Sequence, residues 1–327
     1  MADLAEARPA KPAGTVWRPL TIPVLLLAAF AATPFLAAAS GAEGYVLSLL
    51  NRVMVLAIAA ISLDLILGYG ALVSFGHAAY LGIGAYAVGI LASHGVEDAL
   101  VQIPVALGAS ALFALVTGAI SLRTKGVYFI MITLAFGQML YFLAVSMAAY
   151  GGDDGLTLLS RSLVAGRAVL ENDAVFFWVS LSILVGTYLL CWSIVRSRFG
   201  RILRGTKENP VRMEAVGINP FPFQLAAYVI SGMIAGLAGF LLANQTEFVS
   251  PAFMTWQRSG ELIFMVILGG LGSLHGAVLG AAAFLLLEEE LSGLTEHWKM
   301  IFGPFLILVV LFARGGIMGL LQRVRHG

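Results

Sequence analysis

The stretch Asn209-Pro210-Val211-Arg212-Met213-Glu214-Ala215-Val216-Gly217 carries the signals of a short helix inside a strongly apolar chain. The side chain of Asn209 can accept hydrogen bonds from the first free N–H groups of this helix. Pro210 suits the first helical position, where no N–H donor is needed, and Gly217 suits the left-handed conformation that ends many helices. So short a helix has little core of its own to bury. The stretch therefore predicts a polar loop whose helix fits a groove on another protein.

The overall composition predicts a protein that crosses a membrane several times. Of 327 residues, 60% are hydrophobic and only 11% are charged, and the mean hydropathy is +0.93. A soluble domain carries about 25% charged residues, so the composition excludes an ordinary soluble fold. The net charge of +1 gives no general attraction to nucleic acid, and we expect no such partner. The only cysteine, Cys191, lies in an apolar run, which excludes an intrachain disulfide.

Apolar segments of membrane-spanning length recur along the chain. A helix needs about 20 apolar residues to cross the bilayer, and we expect an all-α membrane helix bundle of about 8–10 transmembrane helices with glycine-broken segments. The segments between Leu262 and Leu287 are short, and they fit either two full spans or one re-entrant hairpin. The expected spans are Thr21–Ala39, Val46–Leu67, Leu72–Leu91, Ile103–Leu122, Val127–Tyr150, Ala174–Val195, Phe223–Leu242, Leu262–Leu271, Gly276–Leu287 and Met300–Phe312.

The distribution of Lys and Arg predicts how the spans are oriented. Basic residues cluster at 123–125, at 196–212 and near both termini, whereas 151–160 has none. Because cytoplasmic loops carry the excess of Lys and Arg, both termini should be cytoplasmic, which requires an even number of crossings. About ten crossings, or eight with a hairpin, satisfy this rule.

These patterns divide the chain into three parts. We expect a disordered cytoplasmic tail at 1–19, a transmembrane domain at 20–314 and a cytoplasmic tail at 315–327. The polar loop at 196–222 belongs to the transmembrane domain and should lie in the cytoplasm.

Two glycine-rich segments are the first candidates for a solute path. Both Gly68–Tyr86 and Gly269–Gly280 run from Ser to His and then to a Leu-Gly step. Unwound backbone at membrane depth is tolerated only where it is buried in protein or lines a cavity, and paired glycine breaks point to a central transport site. Close helix packing and chance similarity are the alternatives. The candidate residues here are Ser74, Gly76, His77 and Ser273.

Isolated polar side chains in other spans add further candidates. Asp64 is a carboxylate inside a span, which is a functional candidate by default, although it lies about one turn from the interface and could have a structural partner. Tyr128, Thr133 and Gln138 lie in one apolar segment. Thr133 and Gln138 are five positions apart and do not share a narrow helical face, so hydrogen bonding between helices is the alternative for both.

The motifs of common enzyme sites are absent from the sequence. It has no GxxxxGK[ST] phosphate loop, so we expect no bound ATP, and no CxxC, HExxH or GxSxG. The histidines have no metal-ligand spacing. We therefore expect neither an enzyme active site nor a metal or cofactor bound by this chain.

Several motifs in a fixed order make the chain resemble a known family of membrane proteins. It resembles the permease subunits of ABC importers for branched-chain amino acids, specifically the longer, M-type member of the permease pair, over roughly residues 45–325. The motifs are Gly68-Tyr69-Gly70, Ser74, Gly76-His77-Ala78-Ala79, Gly82-Ile83-Gly84-Ala85-Tyr86, Gly126-Val127-Tyr128-Phe129, Thr133-Leu134-Ala135-Phe136, Gly151-Gly152, Asp154-Gly155-Leu156, Glu208-Asn209, Glu214-Ala215-Val216-Gly217-Ile218-Asn219, Gly269-Gly270-Leu271-Gly272-Ser273, Gly276, Phe312, Arg314-Gly315 and Gly319-Leu320.

This resemblance implies a transport role and a set of partners. It implies a second permease subunit forming a heterodimer, two ATP-binding cassette subunits that use the ATP, and a periplasmic solute-binding protein, in a bacterial inner membrane. It also implies that Glu214, Ala215 and Gly217 belong to the loop that couples ATP hydrolysis to transport, and the same short helix adds Asn209 and Arg212.

Departures from the family pattern leave the cargo open. Asp64 stands where Asn is common, Ala71-Leu72 replaces a frequent Gly-Gln, and Ala277 stands where Pro is common. The alternatives are an ABC permease for urea, an amide, a sugar or an aromatic acid, and a secondary transporter that works alone. The lack of a charged intramembrane relay argues against the second alternative.

Overall fold

The described part of the chain is almost entirely helical. The computed structural model describes residues 26–34, 43–294, 297, 300–304, 307–308 and 315–319. Between 43 and 294 the helices are α1 (Glu43–Leu67), α2 (Ala78–Ser93), α3 (Ala99–Ser121), α4 (Val127–Ser146), α5 (Asp173–Arg196), α6 (Arg198–Glu208), α7 (Pro210–Ala215), α8 (Pro220–Thr246), α9 (Trp256–Gly269) and α10 (Leu274–Leu294). Two short strands, β1 (Leu156–Thr157) and β2 (Phe248–Val249), pair antiparallel.

Some predictions fall on parts of the chain outside this description. The predicted tail at 1–19 lies outside the described residues, as does most of the tail at 315–327. The predicted first span is described only at 26–34, and most of the last, Met300–Phe312, is not described.

Membrane-spanning helices dominate the fold, and the chain is a polytopic membrane protein. Among the described residues, five helices, α1, α3, α4, α5 and α8, are long and apolar enough to cross a bilayer. The predicted span Leu72–Leu91 is wrong at its beginning, because α2 begins only at Ala78. Ala71 adopts a left-handed conformation with φ 55°, and an L-residue with that φ ends a right-handed helix. Residues 68–77 therefore form a turn, called here the first break.

Helix α1 lies at the centre of the bundle. Every residue from 53 to 67 is buried, and α5, α8, α9 and α10 pack around it. Helices in lipid are not driven together by the hydrophobic effect, so close van der Waals packing and hydrogen bonds hold them. Where α2 meets α8, Gly84 lies against the carbonyl of Gly236, and a Cβ on Gly84 would collide with that backbone. Glycine is required there because the two backbones touch.

Helices α9 and α10 form a helical hairpin in the region where the sequence predicts either two full spans or one re-entrant hairpin. The two helices are bent by 116° about residues 270–273, called here the hairpin tip. The tip contacts the end of α1, where Gly272 N donates to Asp64 Oδ1. Far along α10, Glu288 accepts from Arg52 at 3.1 Å, near the beginning of α1. Helix α10 therefore runs antiparallel to α1.

The two ends of the bundle differ in structure and charge. At one end lie α6, α7 and the loop 122–126, which carry the basic cluster; we call it the basic end. At the other end, the strand end, Asp98 bridges to Leu163 and β1 pairs with β2. From α1 to α5 and then α8, the chain runs alternately between these ends. The described helices therefore alternate in direction, as successive membrane crossings require.

Candidate functional site

The short helix predicted around Pro210 is present as α7, at the basic end. Asn209 Oδ1 accepts from Arg212 N at 2.9 Å, and Pro210 is the first helical residue. Gly217 has φ 86°, and the next residue closes the turn by donating to Met213 O at 3.0 Å. The structure thus confirms the predicted helix start and stop. The role of this helix in coupling stays a prediction.

Helix α7 presents different residues to its two sides. Pro210 and Glu214, one turn apart, line a cavity between α7 and the rest of the basic end. Val211 and Val216 are 69% and 72% exposed, and the predicted coupling residues Arg212 and Ala215 are also exposed. Val211 in this six-residue helix and Val216 directly after it are thus apolar side chains that nothing in the described part of the chain covers.

The basic residues before α7 fix this segment to the bundle. Arg204 Nη2 donates to Val195 O at 3.0 Å, at the carbonyl end of α5, where a cation is favoured. The guanidinium of Arg196 lies 4.2 Å from the ring centroid of Trp192. Lys207 Nζ donates to Gly68 O at 2.6 Å, at the end of α1. Helix α6 is thus tied to two membrane helices, and a displacement of α7 would reach both.

Hydrogen bonds hold the first break against α1. His77 is fully buried, with Nε2 2.8 Å from Ser62 Oγ. Since the Ser62 hydroxyl donates to Ala59 O, its oxygen can accept from His77 Nε2–H. Ser231 of α8 donates in turn to Ser62 O. The sequence predicts His77 as part of the wall of the solute path. In the structure it belongs to a hydrogen-bond network that joins α1, α2 and α8.

Helix α4 contacts the first break from another side. Thr133 Oγ1 accepts from Phe75 N at 3.3 Å and donates to Ile130 O at 2.9 Å. Gly76 is so close to the carbonyl of Thr133 that a Cβ there would collide with it. Ser74 is buried in the same turn. Ser74, Gly76, His77 and Thr133 are therefore brought together, as candidates for one path would be.

The hairpin tip is held by the buried carboxylate Asp64. Its Oδ1 accepts from Gly272 N at 2.8 Å, and Gly68 packs between that carboxylate and the tip with no room for a side chain. Ser273 Oγ accepts from Gly276 N at 3.2 Å and caps α10. Asp64 and Ser273, both predicted along the path, thus meet at the hairpin tip, which is the second break in the helical chain. Asp64 therefore has a structural hydrogen-bond partner, which was the alternative to a functional role for this carboxylate.

Two candidates are not joined to either break. Tyr128 is 74% exposed at the start of α4, and Gln138 is half-buried farther along that helix. Thr133 is buried, unlike Gln138. Within the described ranges, no three His, Cys, Asp or Glu side chains gather as a metal site requires.

Sequence reasoning missed the residues that hold the breaks in place. Ser62 and Asp64, two residues apart on α1, each hold one break, yet only the carboxylate stood out in the sequence. A serine in a transmembrane helix gives no distinctive signal, because it usually bonds its own helix backbone. Lys207 stood out only as a positive charge, although its bond to Gly68 O joins the basic end to α1.

Comparisons with known proteins agree with this architecture. A family model described as "Branched-chain amino acid transport system / permease component" matches residues 45–311. The high-affinity branched-chain amino acid transport system permease protein LivM of Salmonella typhimurium is 25% identical over 333 residues, which cover 95% of this chain and 77% of LivM.

Two further relatives match shorter parts of the chain. The probable branched-chain amino acid transport permease protein LivH of Methanocaldococcus jannaschii is 31% identical over 156 residues, covering 43% of this chain and 46% of LivH. The fructose import permease protein FrcC of Rhizobium meliloti is 25% identical over 218 residues, covering 62% of this chain and 59% of FrcC. No solved structure matches the chain.

Proposed function

The chain belongs to the family of branched-chain amino acid transport permease components, and we propose that it is the M-type permease subunit of an ABC importer for branched-chain or related apolar amino acids. In this role it forms the membrane path and hydrolyses no ATP itself. Separate ATP-binding cassette subunits supply the energy.

The observation that carries this proposal is the exposed helix α7. Its start and stop are fixed by Asn209 and Gly217, and Val211 within it and Val216 just after it are exposed and uncovered in the described chain. An exposed, pre-formed apolar helix end of this kind fits a groove on a partner. Through Lys207 and α6 it is attached to α1, so force applied at α7 would reach the centre of the bundle.

The proposed assembly contains four further subunits. Relatives named LivM and LivH are both permeases, which supports a pair of different permease subunits in one importer. Two ATPase subunits would grip the basic end, and a periplasmic binding protein would deliver the solute at the strand end. We place the chain in a bacterial inner membrane with both termini in the cytoplasm, because its basic clusters at 123–125 and 196–212 then follow the positive-inside rule.

The polar groups of the two breaks support a path of low affinity. His77 and Thr133 at the first break, and Asp64 at the tip, all hydrogen-bond within the protein. Of these three side chains, only His77 Nδ1 and Asp64 Oδ2 lack a hydrogen-bond partner, so the breaks offer a solute few polar contacts. We therefore infer that the binding protein selects the solute and that the permease pair passes it on.

One second candidate has a specific observation in its favour. The fructose permease of Rhizobium meliloti covers 62% of this chain at 25% identity, close to the identity of the LivM relative. A sugar or another small polar solute is therefore the alternative cargo. Uptake assays that pair the importer with binding proteins of known cargo would separate the two.

Reconstitution tests the proposed function. The chain, its partner permease and the ATPase subunits would be placed in vesicles with ATP inside and leucine-loaded binding protein outside. We expect leucine to accumulate only when all components and ATP are present. The matched control is the purified chain alone, with a proton or sodium gradient. Accumulation in that control would show a secondary transporter and contradict the proposal.

A further inference from the structure

A cavity within this chain lies beside α7. Its volume is about 310 Å³, and it is enclosed by the first break, the loop 122–126, α7 and the start of α8. Sites for small molecules typically measure about 300–1,000 Å³, so this one suits a small solute. It lies at the basic end, beyond the two breaks where the path candidates gather.

The lining of this cavity has two kinds of surface. One wall is apolar and consists of Leu72, Val73, Phe129 and Phe221. The rim carries opposite charges: the ammonium groups of Lys125 and Lys207, and the carboxylate of Glu214. Of the ion pairs in the described ranges, none involves a charge on this rim. Lys207 Nζ already donates to Gly68 O, so Lys125 and Glu214 are the rim charges available to a ligand that carries both signs.

The zwitterion of an apolar amino acid matches this lining in every part. Its carboxylate suits the ammonium group of Lys125 and its ammonium suits Glu214, while its side chain suits the apolar wall. An inorganic anion would leave Glu214 and the wall unused. A sugar would leave the charges unused.

We propose that this cavity is an exit site that binds an apolar amino acid on the basic side of the membrane, and that the bound solute restrains α7. The proposal rests on the proposed function. Lys125 lies in the loop between α3 and α4, whereas Glu214 lies on α7. A zwitterion bound between them ties together two segments that no ion pair joins. Solute accumulated inside therefore slows the importer.

The position of the cavity implies weak binding of the solute, and weak binding suits an exit site. Lys125 and Glu214 are exposed, and attraction between exposed charges is small because water screens it. An exit site must release its solute, and weak binding permits release at low internal concentration. At high internal concentration the site fills, and α7 is then held on its cavity side.

Direct binding to the assembled importer is the first test. Saturation-transfer NMR would detect leucine methyl protons on the importer in phosphatidylcholine nanodiscs, without nucleotide or binding protein. We expect a signal for the wild type, and its loss in Lys125→Gln. The matched control is Arg123→Gln, which removes the same charge from the same loop at a residue that does not line the cavity. Equal signals from both variants would overturn the proposal, as would no signal from the wild type.

Uptake into preloaded vesicles is the second test. Unlabelled leucine in the lumen should lower the initial rate of labelled uptake by about fivefold or more, the lower range of allosteric coupling. The ratio of rates with and without preloading should approach one in Lys125→Gln but not in Arg123→Gln. An unchanged wild-type rate would contradict the restraint of α7. If uptake itself fails while NMR still shows Lys125-dependent binding, the proposed transport function is wrong but the binding site in the cavity is confirmed.

Two analogues and a lipid identify the ligand class. 4-Methylpentanoate lacks the ammonium group and 3-methylbutylamine lacks the carboxylate, so both should compete poorly with leucine. Equal competition by either would overturn the zwitterion assignment. The headgroup of an aminophospholipid carries both charges too. Loss of the leucine signal in phosphatidylethanolamine nanodiscs would assign the cavity to lipid and contradict an exit site.

Discussion

Helix α7 and the hairpin tip are both short polar interruptions of an apolar chain, but they are built in opposite ways. Helix α7 is exposed, and its start and stop are fixed by Asn209 and Gly217, both within two residues of its ends. The hairpin tip is held from far away in the sequence, by Asp64. The first is local structure placed for a partner, and the second is a tertiary contact. Substitutions should therefore affect assembly at α7 and folding at the tip.

The largest effect is expected where the two hairpin legs touch. A Cβ on Gly280 of α10 would collide with the carbonyl of Met265 in α9. Gly280→Val should lower the free energy of unfolding by about 3 kcal/mol, the upper range for overpacking, or prevent folding. Thermal unfolding in detergent, followed by size-exclusion chromatography, would measure it.

The same helix offers the control for this substitution. Gly293 has no atom within 4 Å of a built Cβ, so Gly293→Ala should be neutral or stabilise by up to about 1 kcal/mol. Equal stability of Gly280→Val and Gly293→Ala would refute the close contact between the hairpin legs.

The second effect concerns the carboxylate that holds the tip. Asp64→Ala leaves the buried Gly272 N–H without its acceptor and should cost about 1–3 kcal/mol of stability. Asp64→Asn keeps a side-chain oxygen and should stay close to the wild type. Unfolding midpoints of the three proteins would show the difference. If Asp64→Ala and Asp64→Asn have the same unfolding midpoint, the stability of the tip does not depend on this hydrogen bond.

A smaller effect is expected at α7, and of a different kind. Asn209→Ala removes the acceptor for Arg212 N and should cost about 1 kcal/mol within the helix. Because α7 is exposed, global unfolding should hardly change. Hydrogen exchange at 211–216 should become faster, and ATP-driven uptake should fall. A clear drop in the global unfolding midpoint would mean that α7 is part of the core, as the hairpin tip is.

The smallest effect is expected where the backbone is left-handed, a conformation found both after α7 and in the first break. Gly217 after α7 and Ala71 in the first break both have left-handed backbone, with φ 86° and 55°. Alanine is strained there whereas glycine is not, although glycine gains entropy on unfolding. Ala71→Gly should therefore stabilise the protein by about 0.5 kcal/mol. Calorimetry would measure the shift, and a destabilised variant would mean that the Ala71 side chain contributes packing.

The sequence predicts α7 well because every signal for it is local. Asn209, Pro210 and Gly217 act on their own helix, and no distant residue alters their effect. The breaks are different. Glycine shows where regular helix fails, but it does not show which helix lies against the break. The way α9 and α10 pack on α1 depends on Asp64 and Arg52, which lie over 200 residues away from their partners.

In the candidate site too, the local features were predictable from the sequence and the contacts between distant residues were not. Ser74, Gly76 and His77 were found because they lie together in one glycine-rich turn, and the structure adds Thr133 to them. Ser62 could not be found, since a serine inside an apolar helix looks like any other. The cavity beside α7 combines residues from four segments, so no single stretch of sequence announces it.

The central claim is that α7 meets the ATPase subunits, and site-specific crosslinking tests it most directly. In a background without Cys191, which is buried, single cysteines would replace Val211 in α7 or Leu159 at the strand end, both well exposed. In the assembled importer, we predict that a short bifunctional reagent joins position 211 to an ATPase subunit and leaves position 159 free of it. An ATPase crosslink from position 159, with none from position 211, would contradict the account.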